Sequence, residues 1–294
     1  MAELLANPAI IVSGVIISFL ALIVGGWSVK IAPGATDRRD EDAVRRIARN
    51  SAVPIASQLV VRVVDLAVAI VILRLLGPVG NGRYAVAVIV WLYVKTISDF
   101  GLSLLATRDV ARDPTLAGRI TGSTTLLRIV VLVAATIPAS AYLLLGYQRG
   151  DLAGDSVTAA LLLLVSIIPS SFTEAVNSVL NGLERMTIAA WLNVTVSVSK
   201  APLVVLLAAS SLEVVGVAVA ALIASTVSAV LYLRAYRMIV RDRIVWSLNR
   251  HTAVRLARES WPLLAGALLV NLFFRVDVFL VQSFQGDREL GLYD

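Results

Sequence analysis

The chain has 294 residues, 58% hydrophobic and 16% charged, with a mean hydropathy of +0.85 and a net charge of +6. Soluble domains are about half apolar and about a quarter charged, so an ordinary soluble fold is excluded. Cysteine is absent, which removes disulfides and thiolate metal sites, and the one histidine, His251, sits in a basic loop without metal-ligand spacing. No metal or cofactor is expected.

In chain order, apolar blocks predict a first span at Ala9–Trp27 (span 0) and then spans 1 to 7. These fall near Ala52–Leu73, Tyr84–Ala106, Ile120–Leu145, Val157–Asn181, Ile188–Ala209, Val214–Tyr236 and Trp261–Phe284. Each reaches the ~20 residues that cross ~30 Å of hydrocarbon. A closed β-barrel would need alternating segments of ~10 residues, and none occurs. The fold class is therefore an all-α polytopic membrane protein.

Span 0 is not read as a signal peptide, because Glu3 precedes it and Lys30, Arg38 and Arg39 follow it. That charge order predicts an outside N-terminus. The loops after spans 0, 2, 4 and 6 then carry 17 Lys and Arg, counting Arg234 in the last turn of span 6, against Arg74, Arg83, Arg149 and Arg288 on the other side. Such asymmetry marks cytoplasmic loops in the cell membrane, so the positive charge is an orientation signal rather than a nucleic-acid footprint. The loop Arg234–Arg258 interleaves arginines with Met238, Ile239, Ile244, Val245, Trp246 and Leu248. It reads either as an interfacial amphipathic helix binding anionic headgroups or as a plain basic linker.

Nine charges lie inside the spans: Arg62, Lys95, Arg128, Lys200, Arg275, Asp65, Asp99, Glu174 and Asp277. Each costs at least ~2.5–3.5 kcal/mol at the bilayer centre, so they are expected to face a polar cavity or a partner. Arg62, Lys95, Lys200 and Arg275 fall at similar mid-span depth, whereas Arg128, nearer the cytoplasmic end of span 3, could snorkel. Arg62 and Asp65 are three apart, and Lys95 and Asp99 four apart, so each pair could close on one helix face. Arg275 and Asp277, two apart, cannot. Lys200 has no acid nearby in its span, and Glu174 is either its partner across helices or a coupling-ion site.

Gln58, Asn177, Asn181, Asn193 and Asn271 are read as interhelical hydrogen bonders. Pro169 and Pro202 interrupt spans 4 and 5 near Glu174 and Lys200 and are bending points or static kinks. Gly118 and Gly122 allow close packing at the start of span 3.

Shifting the sequence by 209 residues sets Arg49-Asn-Ser51 on Arg258-Glu-Ser260, and Gly77-Pro-Val-Gly-Asn-Gly82-Arg-Tyr84 on Gly286-Asp-Arg-Glu-Leu-Gly291-Leu-Tyr293. Six spans separate the copies, so both face the same way, as in transporters of two six-helix lobes related by an axis along the membrane normal. The domains expected are 1–48, an extra span with a basic cytoplasmic linker; 49–237, a first six-helix lobe; 238–258, a basic inter-lobe linker; and 259–294, the start of a second lobe. The chain reads as a fragment of that larger architecture.

Four stretches carry a family resemblance: Arg74-Leu-Leu-Gly77-Pro-Val-Gly-Asn-Gly82-Arg-Tyr84; Asp99-Phe-Gly101-Leu-Ser-Leu-Leu-Ala-Thr-Arg108-Asp-Val-Ala-Arg112; Asn181-Gly182-Leu-Glu-Arg185-Met186; and Arg275-Val-Asp277. In these the chain resembles the polysaccharide-transporter branch of the multidrug/oligosaccharidyl-lipid/polysaccharide exporter superfamily, which includes Wzx-type flippases. The resemblance implies alternating access of two lobes around a cationic cavity, turning lipid-linked oligosaccharide across the membrane. A polyprenyl phosphate or pyrophosphate head calls for fixed positive charge, and Arg62, Lys95, Lys200 and Arg275 are the expected contacts. Asp65, Asp99, Glu174 and Asp277 are candidates for proton or sodium coupling.

A cation-coupled multidrug antiporter of the same superfamily is the nearest alternative, but it would favour acidic, aromatic-lined cavities over five basic residues. A membrane glycosyltransferase or glycan ligase would need an acid/base cluster or a large extramembrane loop. The chain is read as a non-enzyme.

Overall fold

The computed structural model describes residues 41–240 and 243–293, with side chains throughout except at 41–52, 250–252, 274–277, 279, 283 and 285–293. Span 0 lies outside the described residues.

Helix α1 (Glu41–Asp99) holds span 1 and most of span 2, whose expected continuation to Ala106 instead falls beyond a break at Phe100–Gly101. Its two arms meet at Gly77, where φ is 64° and ψ −179°. That conformation is essentially reserved for glycine, and Pro78 beside it has no N–H to continue the ladder. In an unbroken helix Asp65 and Lys95 would stand about 45 Å apart. They line one cavity instead, so the second arm returns alongside the first. Asn81 Nδ2 donates to Leu73 O at 3.1 Å, satisfying a carbonyl left over at the end of the first arm.

A second reversal, at Phe100 (φ 52°) and Gly101 (φ 72°), leads into α2 (Leu102–Arg112). A 3₁₀ turn (Pro114–Leu116) follows, its Asp113 cap accepting from Thr115 N at 3.0 Å. Next come α3 (Ala117–Arg149), α4 (Gly154–Gly182), α5 (Met186–Ala208) and α6 (Glu213–Ile239). These four, the first taken with its lead-in turn, are each long and apolar enough to cross a membrane. The last helix, α7 (Arg250–Tyr293), contains span 7 and stays helical beyond Phe284, the expected end.

Helix α4 is central, touching α1, α2, α3, α5 and α6. Its buried face is built largely from small residues, among them Ala159, Ala160, Ser171, Ala175 and Ser178, which admit neighbouring helices closely. Gly182 carries this furthest, since a Cβ there would stand 2.8 Å from Thr107 O of α2. The opposite pattern marks the perimeter. Ile55, Leu59, Val63 and Leu66 form one exposed face of α1, each 61–67% exposed, and Val130, Val133 and Ile137 do the same on α3. Continuous apolar faces of this size have no place in water and fit a hydrocarbon surround.

Between α6 and α7 the described residues 243–249 are irregular rather than helical. This corrects the amphipathic-helix reading of that stretch. The reason lies in α3, whose Gly118 and Gly122 leave a bare face onto which the linker backbone settles. Val245 N donates to Gly118 O (3.1 Å) and Ser123 Oγ to Ser247 O (2.9 Å), so the backbone groups are satisfied on α3 rather than within a helix. Phe172 and Trp246 stack above, with ring centroids 6.3 Å apart. Helix α7 then packs along α1 and crosses the second reversal so closely that a Cβ on Gly101 would stand 2.7 Å from Leu263 Cβ.

Candidate functional site: charged cavities between the helices

A cavity of about 600 Å³ opens between both arms of α1 and helices α4, α5 and α6. Two cation–carboxylate pairs line it, and each joins different helices. Lys95 Nζ of α1 stands 3.0 Å from Glu174 Oε1 of α4, and Lys200 Nζ of α5 stands 3.9 Å from Asp65 Oδ1 of α1. Ser197 Oγ also donates to Asp65, at 3.2 Å. Lys95 further lies 4.9 Å from the centre of the Trp91 ring, one helical turn back, a cation–π contact. A neutral polar wall completes the cavity: Tyr232 Oη of α6 sits 2.7 Å from Asn193 Oδ1 of α5 and 3.4 Å from Asn177 Oδ1 of α4.

A second groove of about 500 Å³ lies between α1, α4 and α7. Lys95 and Glu174 line this one too, so their ion pair forms part of the wall common to both spaces. Asn271 Nδ2 of α7 donates to Thr96 Oγ1 at 3.0 Å across the groove.

Deeper still, Arg128 is only 1% exposed and spreads its guanidinium over three partners. Nη2 donates to Asp99 Oδ1 and to Ser103 Oγ, both at 2.8 Å, and Nη1 donates to Ser171 O at 3.1 Å. Four helices, α1 to α4, are thereby tied at one point. The snorkelling expected for Arg128 is corrected: its Nη1 and Nη2 are engaged inside the bundle, where a buried charge must be paired.

The pairing within single helices is corrected as well. Lys95 meets Glu174, not Asp99; Asp99 meets Arg128; and Lys200 meets Asp65, not Glu174. Arg62 is exposed, outside the cavity lining, and no ion pair joins it to Asp65 among the described residues. Three positions offset the two side chains by about 60° around the helix, which leaves Asp65 in the cavity lining and Arg62 outside it. The side chains of Arg275 and Asp277 lie outside the described residues. Asn177, Asn193 and Asn271 make the interhelical bonds expected of them. Sequence reasoning does not single out Tyr232 or Trp91, although Trp91, four residues before Lys95, carries a helical-spacing signal.

Towards the loops on the far side of Gly101, Arg108 and Arg255 share Asp109 and Glu259, linking α2 to α7. Arg108 Nη2 bonds both carboxylates, and Arg255 Nη2 reaches Asp109 Oδ2 at 3.0 Å. Glu259 first and Asp109 second push the Arg108 guanidinium further above its ordinary pKa. Among the described residues no cluster of His, Asp or Glu could hold a metal ion.

Apolar faces turned outward, charges turned into cavities, and four helices of membrane-crossing length define a multi-pass helical membrane protein. The family described as "Polysaccharide biosynthesis protein" matches residues 47–294, and the chain belongs to it. No curated protein matches the chain. Among solved structures, one similar chain is a MOP superfamily transporter from Pyrococcus furiosus, described by a binding pocket of reverse polarity that suggests a different function. It is 21% identical, with a TM-score of 0.48 over 85% of this chain and 58% of that one. Another is the outward-facing conformation of a multidrug resistance MATE family transporter of the MOP superfamily, 22% identical, with a TM-score of 0.49 and the same coverage. The chain thus spans 58% of the length of either.

Proposed function

We propose that this chain forms a first lobe, residues 49–237, a linker, 238–258, and the start of a second lobe, 259–294, of an exporter that flips lipid-linked oligosaccharide. Residues 1–48 contribute an additional span, with the N-terminus outside and the loops after spans 0, 2, 4 and 6 in the cytoplasm of the cell that carries it. The observation that carries the reading is the Lys95–Glu174 pair on the wall between two cavities. Both side chains are about a third exposed, 33% and 28%, so neither is locked away.

An anionic phosphate or pyrophosphate head entering from the α7 side competes with Glu174 for Lys95. Displaced, Glu174 becomes free to take a proton or a sodium ion, and one exchange couples substrate to ion. Lys200 and Asp65 repeat the arrangement in the same cavity, at 3.9 Å and with side chains 40% and 49% exposed. Arg275 of span 7 is the remaining cationic contact in this reading, Arg62 lying outside the cavity lining, while Asp99 and Asp277 complete the set of coupling acids. Membership of the polysaccharide biosynthesis family supports a glycan-bearing substrate.

The test uses the full-length protein in liposomes, following translocation of a polyprenyl-pyrophosphate oligosaccharide. Lys95→Gln and Lys200→Gln should each slow it, and Arg275→Gln should too. Undiminished flipping in all three, together with proton-coupled efflux of a cationic drug, would replace this reading with the multidrug antiporter.

A further inference from the structure

A third cavity, of about 850 Å³, lies between α3, α4, α6 and the linker. It is separate from the charged cavity and shares no charged residue with it. Its walls are apolar: Ile129 from α3, Ile168 from α4, and Val230 and Leu233 from α6. Ile168 and Val230 are each 47% exposed, so the walls open towards the hydrocarbon. At one end stand two arginines, Arg237 in the last turn of α6 and Arg243 in the linker, with Trp246 beside them. Both arginines are exposed, and no ion pair neutralises either among the described residues.

Apolar walls ending in paired guanidiniums and an indole are the complement of a lipid: hydrocarbon below, anionic headgroup at the interface. Two arginines favour a headgroup of net negative charge over a zwitterionic one, whose own ammonium compensates its phosphate. The depth agrees. Between Glu213 and Arg234 helix α6 carries no charge, and Arg237 follows one turn later, where the hydrocarbon gives way to headgroups.

We infer that this cavity binds an anionic phospholipid of the surrounding leaflet, its acyl chain between α3, α4 and α6 and its phosphate bridging Arg237 and Arg243. The lipid joins α6 to the linker, beside the place where Gly118 and Gly122 hold that linker on α3. It therefore helps to seat the segment through which the lobe leads into α7. The site does not depend on what the charged cavity transports.

The experiment is native mass spectrometry of the full-length protein with phosphatidylglycerol and phosphatidylcholine, beside quenching of tryptophan fluorescence by brominated phosphatidylglycerol. Wild type should retain phosphatidylglycerol preferentially. Arg237→Gln/Arg243→Gln should lower that preference roughly 30-fold, the weight of two basic charges at an anionic surface. Ala229→Trp, which fills the apolar part and keeps both arginines, should abolish retention as well. Quenching should fall when Trp246 is changed to Phe. Equal retention of the two lipids, or an unaltered preference in the double variant, would overturn the proposal. So would an equal loss in Arg119→Gln, an exposed arginine outside the cavity. If inorganic phosphate competes away the signal while Ala229→Trp leaves it intact, the arginines form a plain anion site and the lipid proposal fails.

Discussion

Lys95 of α1 and Glu174 of α4 form a 3.0 Å ion pair on the wall shared by two cavities, with the Trp91 ring against the ammonium. Because each partner is about a third exposed, water screens the pair, and its net worth to stability is at most about 1 kcal/mol. Its chemical availability is greater than that figure conveys: neither charge must be desolvated further to exchange partners.

Breaking this pair should therefore leave the fold intact and impair transport. For Lys95→Gln and for Glu174→Gln, unfolding midpoints in detergent should stay within the ~1 kcal/mol of a screened pair. Translocation in liposomes should fall roughly 10- to 100-fold for Lys95→Gln, the loss of one charge-assisted contact of ~1.5–3 kcal/mol. If the pair were merely structural, the double variant would restore wild-type transport.

Arg128 predicts the reverse. Replacing it by Met removes the counter-charge of Asp99, which keeps only the Ser103 hydroxyl, and leaves Ser171 O without its donor, the arginine itself being 1% exposed. Loss of one member of a buried pair costs about 3–5 kcal/mol. Thermal unfolding of purified protein should show that loss, and Arg128→Lys should recover only part of it, because an ammonium cannot span all three partners.

Glycine substitution should discriminate sharply by position along the linker path. A Cβ at Gly122 would press into Val245 O, whereas one at Gly266 of α7 meets nothing within 4 Å. Gly122→Ala should detach the linker from α3, seen as faster proteolysis at Arg243 and altered Trp246 emission. Gly266→Ala should be neutral or slightly stabilising, as expected for alanine in a helix.

At Gly77 the obstacle is conformational: a Cβ there would meet no atom within 4 Å, yet φ is 64°. Gly77→Ala should cost on the order of 1–3 kcal/mol through backbone strain alone. Chemical denaturation would register it, and Gly80→Ala, where a Cβ would press on Leu76 Cβ at 2.9 Å, offers a steric comparison.

Several features are legible in the residues themselves. Runs of apolar residues mark spans 1 to 7, the Gly77-Pro78 stretch marks the turn between the first two, and Gly118 with Gly122 marks a close approach. Lys95, Lys200, Asp65 and Glu174 stand out as cavity residues from their cost in hydrocarbon, and all four line one cavity. What approaches Gly122 is not legible, because the approaching group is linker backbone, which has no sequence signature.

Hydrophobic length and backbone conformation are local properties, so composition, spans and the glycine turns follow from the sequence by itself. The choice of partner for each charge is not local. Lys95 has Asp99 one turn away and Glu174 on a distant helix; only the rotation of α1 against α4 and the demand of buried Arg128 for a carboxylate decide between them. Tertiary packing assigns Asp99 to the buried arginine and leaves Glu174 to the lysine in the open cavity, because a desolvated guanidinium needs its counter-charge more than a wet ammonium does.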